Sequence, residues 1–123
     1  MLLSKTPLRI SFAGGGSDYF NLDSDIPGRV IVSTINKYMF VCLNNKYNNE
    51  VRAAYSTTEN VINAKKLKHE IIRESLKLHK IYNGLEISTL ADIPSSGSGL
   101  ASSSALSVGL AHVLRKFKKL KIS

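Results

Sequence analysis

The chain of 123 residues has no Trp, one Cys and three Pro, and no acidic residue follows Asp92. One Cys excludes an internal disulfide, so the sequence predicts a protein of the reducing cytoplasm. Cys42 lies in an apolar run, and we expect it to be a buried structural thiol. No apolar run approaches the ~18–20 residues that cross a membrane, and the first residues do not have the pattern of a secretory signal. We therefore expect no membrane partner.

The composition is that of an ordinary globular domain. Hydrophobic residues make up 43% and charged residues 21% of the chain, which argues against disordered and collagen-like classes. The length allows one small domain. We see no internal repeat and no domain boundary.

Positive charge is concentrated at the C-terminal end. The formal net charge is +8, and five cations lie in the last nine residues: Arg115, Lys116, Lys118, Lys119 and Lys121. Residues 1–114 therefore carry only +3. The pattern favours a solvated helix end whose cations suit the helix dipole. A tail that binds a polyanion stays open as the alternative, and a nucleic acid partner is not expected.

Hydrophobic periodicity predicts an α+β fold, with a mostly antiparallel sheet and helices on one side. Alternation in residues 5–13 predicts a first strand, and 57–68 is polar and predicted to be irregular. Further strands are predicted at about 29–34, 37–43, 51–55 and 85–92, and helices at about 69–79 and 100–117. Leu78, Val108 and Ala111 are assigned to the buried helix faces.

The stretch 95–104, termed here the Ser/Gly loop, joins a predicted strand to an apolar helix. Its glycines let a ligand approach the backbone, and the first turn of the helix offers unpaired N–H groups and a positive dipole. The Ser hydroxyls add donors and a potential metal ligand. These features predict a phosphate cradle. It is neither a Walker A loop nor a dinucleotide fingerprint. The alternative is a flexible loop with a Ser N-cap.

A second unusual stretch runs from Arg9 to Tyr19, where a strand enters three consecutive glycines. Asp18 could hold a hydroxyl-rich ligand, because a carboxylate accepts hydrogen bonds from neighbouring hydroxyls. Arg9 could neutralise charge that develops on a phosphate. An Asx-turn for Asp18 and a surface ion pair for Arg9 are the structural alternatives.

The two stretches together resemble motifs of the GHMP family of small-molecule kinases. Residues 94–105 are similar to the family's ATP-binding motif, and residues 9–19 to its N-terminal motif. The wider pattern, which includes Ser33–Tyr38 and Ala91–Pro94, is closest to the branch that acts on D-glycero-D-manno-heptose 7-phosphate. The resemblance implies a fold like domain 2 of ribosomal protein S5, with residues 1–123 forming part of an N-terminal domain and the C-terminal domain absent.

The resemblance also implies ATP-dependent phosphorylation of a sugar hydroxyl, with ATP and Mg²⁺ as cofactors. It makes Arg9 catalytic and Ser103 the metal ligand. It assigns the substrate to Gly15, Gly16, Ser17 and Asp18. ATP is assigned to Ser96, Gly97, Ser98, Gly99, Leu100, Ala101, Ser102 and Ser103.

Departures from the family pattern limit these expectations. Ala101 stands where Gly is commoner, and Gly15–Gly16 replaces the Glu-His of galactokinases, which disfavours galactose. The family's catalytic aspartate lies further along than residue 123, and Asp92 is interpreted as a strand-end residue. We therefore expect the chain alone to be weak or inactive, and to self-associate through a face left by the absent domain. A non-catalytic nucleotide- or RNA-binding module and an inactive truncated product remain alternatives.

Overall fold

The computed structural model describes residues 1–17, 27–94 and 98–122, and the side chains of all of these except the last two. The strands are β1 (Leu2–Ala13), β2 (Ile31–Asn45), β3 (Val51–Ala54), β4 (Thr58–Val61) and β5 (Leu85–Ala91). The helices are α1 (Glu70–Leu78) and α2 (Ser102–Ile122), with a 3-10 turn at Ala64–Lys66. In these ranges, no helix has the length and hydropathy to span a membrane.

The five strands form one sheet in the order β1-β2-β5-β3-β4. Neighbours are antiparallel except β3 and β5, which are parallel. Both helices contribute buried residues to a single core cluster with one face of the sheet. The predicted α+β class with a mostly antiparallel sheet is confirmed.

Two predictions about the strands are wrong. The segments predicted at 29–34 and 37–43 form the single strand β2. Its register with β1 shifts after Pro7↔Tyr38, so that Arg9 is opposite Thr34 and residues 35–37 face Leu8 alone. That local irregularity includes the gap left between the two predicted strands. The stretch 57–68 is also not irregular throughout, because β4 pairs with β3 along the edge of the sheet.

The core follows the predicted periodicities with exceptions at the helix surfaces. Leu110, Val113 and Leu114 of α2 pack against buried strand residues such as Leu8 and Val41. Leu78 and Val108, assigned to buried faces, are 79% and 59% exposed, and Ala111 is exposed as well. The apolar face of each helix is therefore narrower than predicted. Cys42 is only partly buried, on the side of β2 away from the helices.

Gly109 allows α2 to lie close to the sheet. A Cβ at this position would be 2.9 Å from Ser4 Oγ, 3.1 Å from Val41 Cγ2 and 3.2 Å from Thr6 Oγ1. Ser4 is 6% exposed, and its hydroxyl has no hydrogen-bond partner among the described residues. The close packing of α2 against β1 and β2 therefore depends on the absence of a side chain at Gly109.

We expect Gly109→Val to lower the free energy of unfolding by about 2 kcal/mol, because over-packing a fixed interface costs roughly 1–3 kcal/mol. Ser4→Ala removes the nearest atom, so Gly109→Val should cost about 1 kcal/mol less in that background. Urea denaturation of the unaltered chain, the two single variants and the double variant measures both effects. Strictly additive changes would contradict the proposed contact.

Candidate phosphate-binding site at the start of α2

The backbone turns sharply where the Ser/Gly loop enters α2. Gly99 and Ala101 have left-handed φ angles of 66° and 56°. The Ala105 N–H donates to the Ala101 carbonyl at 3.0 Å, which is the first full helical turn. The N–H groups of Ser103 and Ser104 precede that bond and have no acceptor within the helix. The N-terminal end of α2 therefore presents N–H donors and the positive end of the helix dipole to the loop.

Ser103 provides an exposed hydroxyl in this first turn. No hydrogen bond within the described part of the chain uses that hydroxyl, whereas its carbonyl accepts from the Ser107 hydroxyl at 3.0 Å. A hydroxyl oxygen is a suitable ligand for Mg²⁺, which is usually held by one or two protein ligands together with phosphates and water. The described residues contain no cluster of three His, Cys, Asp or Glu that could hold a metal by itself. The donor set fits a Mg²⁺ that arrives with a nucleotide.

Arg9 lies directly beside this loop. Its backbone N–H donates to the Leu100 carbonyl at 3.3 Å, which ties β1 to the residues before α2. Its exposed side chain lines a depression of about 320 Å³, here the Arg9 depression. The other lining residues are Thr6, Pro7, Ala101, Ser104, Ala105 and Val108. A cation therefore lies next to the start of α2.

The glycines after β1 form a tight turn at its far end. The Ser17 N–H donates to the Gly14 carbonyl at 3.0 Å. A Cβ on Gly14, at φ 81°, would overlap the Arg29 carbonyl. The Ser17 hydroxyl lies 2.6 Å from the Gly14 carbonyl and 2.8 Å from that of Arg29, and accepts from the Arg29 N–H at 3.1 Å. Gly14 and Ser17 thus hold the turn against the start of β2.

The structure brings together only part of the predicted site. Arg9 contacts the Ser/Gly loop, but Gly15, Gly16 and Ser17 lie beyond Ala13, roughly 13 Å or more along the strand from Arg9. Asp18, Ser96 and Gly97 lie outside the described residues. Ser98 to Ser103 are described and lead into α2 or form its first turn.

A larger depression of about 450 Å³ lies on the other side of the α2 start, here the Tyr55 depression. Ser102 and Ser103 line its rim, and apolar side chains line its walls: Met39, Ile71, Leu90, Ile93 and Leu106. Tyr55 and His69 also line it, with ring centroids 4.5 Å apart in an edge-to-face arrangement. The beginning of α2 therefore separates a mainly apolar depression from the Arg9 depression.

Glu59 holds Tyr55 and His69 in place. Its carboxylate accepts from the Tyr55 hydroxyl at 2.7 Å, the Lys68 N–H at 2.8 Å and the His69 N–H at 3.1 Å. Burial raises the pKa of the Glu59 carboxyl, but the hydrogen bonds outweigh it and keep that pKa below its ordinary value. Sequence reasoning missed this group, because no motif relates Tyr55 to His69 and β4, which carries Glu59, was not predicted.

Asp92, His69 and His79 have structural partners. Asp92 accepts from the Tyr38 N–H at 2.8 Å and donates its own N–H to the Tyr38 carbonyl at 3.0 Å, so it holds the end of the β2–β5 pair as interpreted from the sequence. His69 caps α1, with Nδ1 3.4 Å from the Ile72 N–H. Nδ1 of His79 lies 2.8 Å from the Ser75 carbonyl.

Comparison with known proteins identifies the family of this chain. The family model for the N-terminal domain of GHMP kinases matches residues 60–123, just over half of the chain, including the Ser/Gly loop and α2. The chain therefore belongs to the GHMP kinase family, a family of kinase-type enzymes. No curated protein sequence matches it.

Solved structures share the fold over nearly the whole chain. A D-glycero-D-manno-heptose 1-phosphate kinase from Bacteriodes thetaiotaomicron has a TM-score of 0.79 at 23% identity, covering 95% of this chain and 42% of that one. A putative sugar kinase from Campylobacter jejuni has a TM-score of 0.74 at 25% identity, covering 95% of this chain and 41% of that one. The Methanococcus jannaschii mevalonate kinase has a TM-score of 0.70 at 17% identity, covering 95% of this chain and 40% of that one. The chain spans about two fifths of the length of these structures.

The left-handed alanine gives a test of the loop conformation. The left-handed conformation costs an L-residue with a Cβ roughly 1–2 kcal/mol relative to the right-handed one. We therefore expect Ala101→Gly to raise the free energy of unfolding by about 1 kcal/mol. Lys80→Gly should act similarly, because Lys80 has φ 56° after α1. Ala111→Gly, at an exposed right-handed position in α2, should instead lower it by about 1 kcal/mol. Urea denaturation compares the three, and a loss of stability in Ala101→Gly would contradict the left-handed turn.

Proposed function

We propose that the chain forms the nucleotide-binding part of an ATP-dependent sugar kinase. The observation that carries the proposal is the start of α2, where left-handed Gly99 and Ala101 lead into helical N–H groups that have no acceptor within the helix, and where the Arg9 N–H bonds the Leu100 carbonyl. Backbone donors at a helix N-terminus are a common phosphate-binding arrangement. In this proposal residues 1–123 belong to the N-terminal domain of a larger two-domain enzyme.

The two depressions suggest how ATP lies across the loop. The Tyr55 depression has apolar walls and an aromatic pair, which suit a nucleobase and ribose. The Arg9 depression is smaller and has a cation and the hydroxyls of Thr6 and Ser104, which suit a terminal phosphate. The triphosphate would then cross the first turn of α2 between them, with Mg²⁺ held by Ser103.

The chemistry required of this part of the enzyme is alignment and charge stabilisation. The acceptor hydroxyl attacks the terminal phosphorus of ATP, the bond to the bridging oxygen breaks, and ADP leaves. The N–H groups of α2, Arg9 and Ser103 would hold the phosphate oxygens while charge shifts among them. The proton of the acceptor passes to a base, which the family resemblance assigns to an aspartate beyond residue 123.

For the acceptor we propose a heptose 7-phosphate, held at the end of β1 by Gly15, Gly16, Ser17 and Asp18. The motifs at 6–18, 33–38 and 91–94 support this sugar. A structurally similar protein bears the name heptose 1-phosphate kinase, so the position of phosphate on the acceptor is part of the test. Gly14 and Ser17 would place Asp18 through the turn that they hold against Arg29.

We expect Mg²⁺-ATP to bind the chain and to shift the amide signals of residues 98–104. Ser103→Ala should weaken binding by about tenfold, since one hydrogen bond or ligand to a charged group is worth about 1.5 kcal/mol or more. Ser107→Ala, one turn later in α2, is the matched control and should bind normally. Calorimetry measures the affinities. Equal affinities in the two variants, or no binding by the unaltered chain, would overturn the proposal.

Acceptor recognition is tested by saturation-transfer NMR with heptose 7-phosphate and, for comparison, heptose 1-phosphate, each in the presence of Mg²⁺-ATP. Asp18→Ala should remove the signal, because a carboxylate that accepts from sugar hydroxyls is lost. Asp23→Ala, which removes a neighbouring carboxylate, should retain it. Phosphate transfer by the chain alone should remain at background. An unchanged signal in Asp18→Ala, or rapid transfer by the chain alone, would contradict this assignment.

A further inference from the structure

The outer face of α2 carries cations that have no function in the proposed kinase site. Arg115, Lys116, Lys118 and Lys119, here the basic face, are all exposed. The sequence of α2 contains no acidic residue. This part of the helix is well separated from the loop, because Arg115 lies thirteen residues, roughly 20 Å, along the axis from Ser102.

The described residues provide no counter-charges to the basic face. Within residues 1–17, 27–94 and 98–122, all four ion pairs lie between residues 46 and 86: Lys46–Glu50, Arg52–Glu86, Arg73–Glu74 and Lys77–Glu74. None involves a cation of α2. The positive potential of this helix is therefore not neutralised by the described part of the fold.

The helix dipole accounts for only part of this charge. Its effect falls off within the last turn, which here begins at about Lys119. Arg115 and Lys116 lie before that turn and gain little from it. Core packing does not require these cations either, because Val113, Leu114 and Phe117 form the buried side of the same segment.

We propose that the basic face binds the phosphate backbone of nucleic acid, without sequence preference. This goes beyond the proposed kinase function and departs from the expectation drawn from the sequence. The reason is that the structure places the cations together, exposed and unpaired. Neutralising phosphates with Lys and Arg releases condensed counterions, which is sufficient for non-specific binding.

The same face does not suit an acidic protein or a membrane. Val108 and Leu120 are the large apolar side chains exposed on the described part of α2, and they lie roughly 18 Å apart along the axis. Protein interfaces depend on clustered apolar or aromatic anchors, and interfacial helices on a continuous apolar face. The apolar face of α2 is already buried against the sheet.

Fluorescence anisotropy with the full chain and a labelled DNA duplex of about 20 base pairs tests the proposal. We expect binding at low salt, with log affinity falling against log salt with a slope of about −3.6 for four neutralised phosphates. Replacing the four cations of the basic face with Gln should weaken binding by at least about tenfold and flatten that slope.

A charge-matched control separates this face from net charge. The control variant carries Gln in place of four exposed lysines elsewhere: Lys37, Lys66, Lys68 and Lys80. Its affinity for the duplex should stay within about twofold of that of the unaltered chain. Equal losses in the two variants would overturn the proposal, as would vesicles of anionic lipid or a poly-glutamate chain binding more tightly than the duplex. Calorimetry with Mg²⁺-ATP should be unchanged by the basic-face substitutions, so the two proposals can fail independently.

Discussion

The close packing of α2 on β1 and β2 is the constraint on which the candidate site depends. Gly109 permits a helix-to-sheet approach so close that even a Cβ would lie 2.9 Å from Ser4 Oγ. The helix axis is then fixed by buried Leu110, Val113 and Leu114. Because the axis is fixed, the first turn of α2 and its N–H groups are also fixed beside Arg9. The position of the candidate phosphate site thus depends on core packing as much as on the Ser/Gly loop.

The conformation of the loop depends on the same interface. Arg9 is part of β1, and its backbone N–H reaches the Leu100 carbonyl where the register with β2 shifts. One irregularity in the sheet therefore aligns a strand, a left-handed turn and a helix start. Glu59 holds the opposite side by fixing Tyr55 and His69. A nucleotide lying over this turn would contact elements from both ends of the sheet.

Sequence patterns predicted the features that depend on local chemistry. The alternation in β1 and β5 and the Ser/Gly run before an apolar helix are local, and they identified the sheet class and the loop. The single strand β2 was not predicted, because the irregularity at residues 35–37 depends on the pairing with Leu8 of β1, which the local sequence does not indicate. Edge strand β4 was missed because its sequence is polar and, among the described strands, it pairs with β3 alone.

The arrangement of the site was harder to predict than its residues. Tyr55 and His69 lie fourteen positions apart, and Glu59 brings them together through tertiary hydrogen bonds that no spacing indicates. Conversely, Arg9 and the turn at 14–17 are close in sequence but are separated by an extended strand. The Ser17 hydroxyl, assigned to substrate from its motif, has backbone partners in Gly14 and Arg29.

A crystal structure of the chain with Mg²⁺ and a non-hydrolysable ATP analogue tests the central claim most directly. The account predicts phosphate oxygens within about 3 Å of the Ser103 and Ser104 N–H groups, with the base between Tyr55 and Ile93. An analogue bound elsewhere, with the first turn of α2 contacting only solvent, would contradict it.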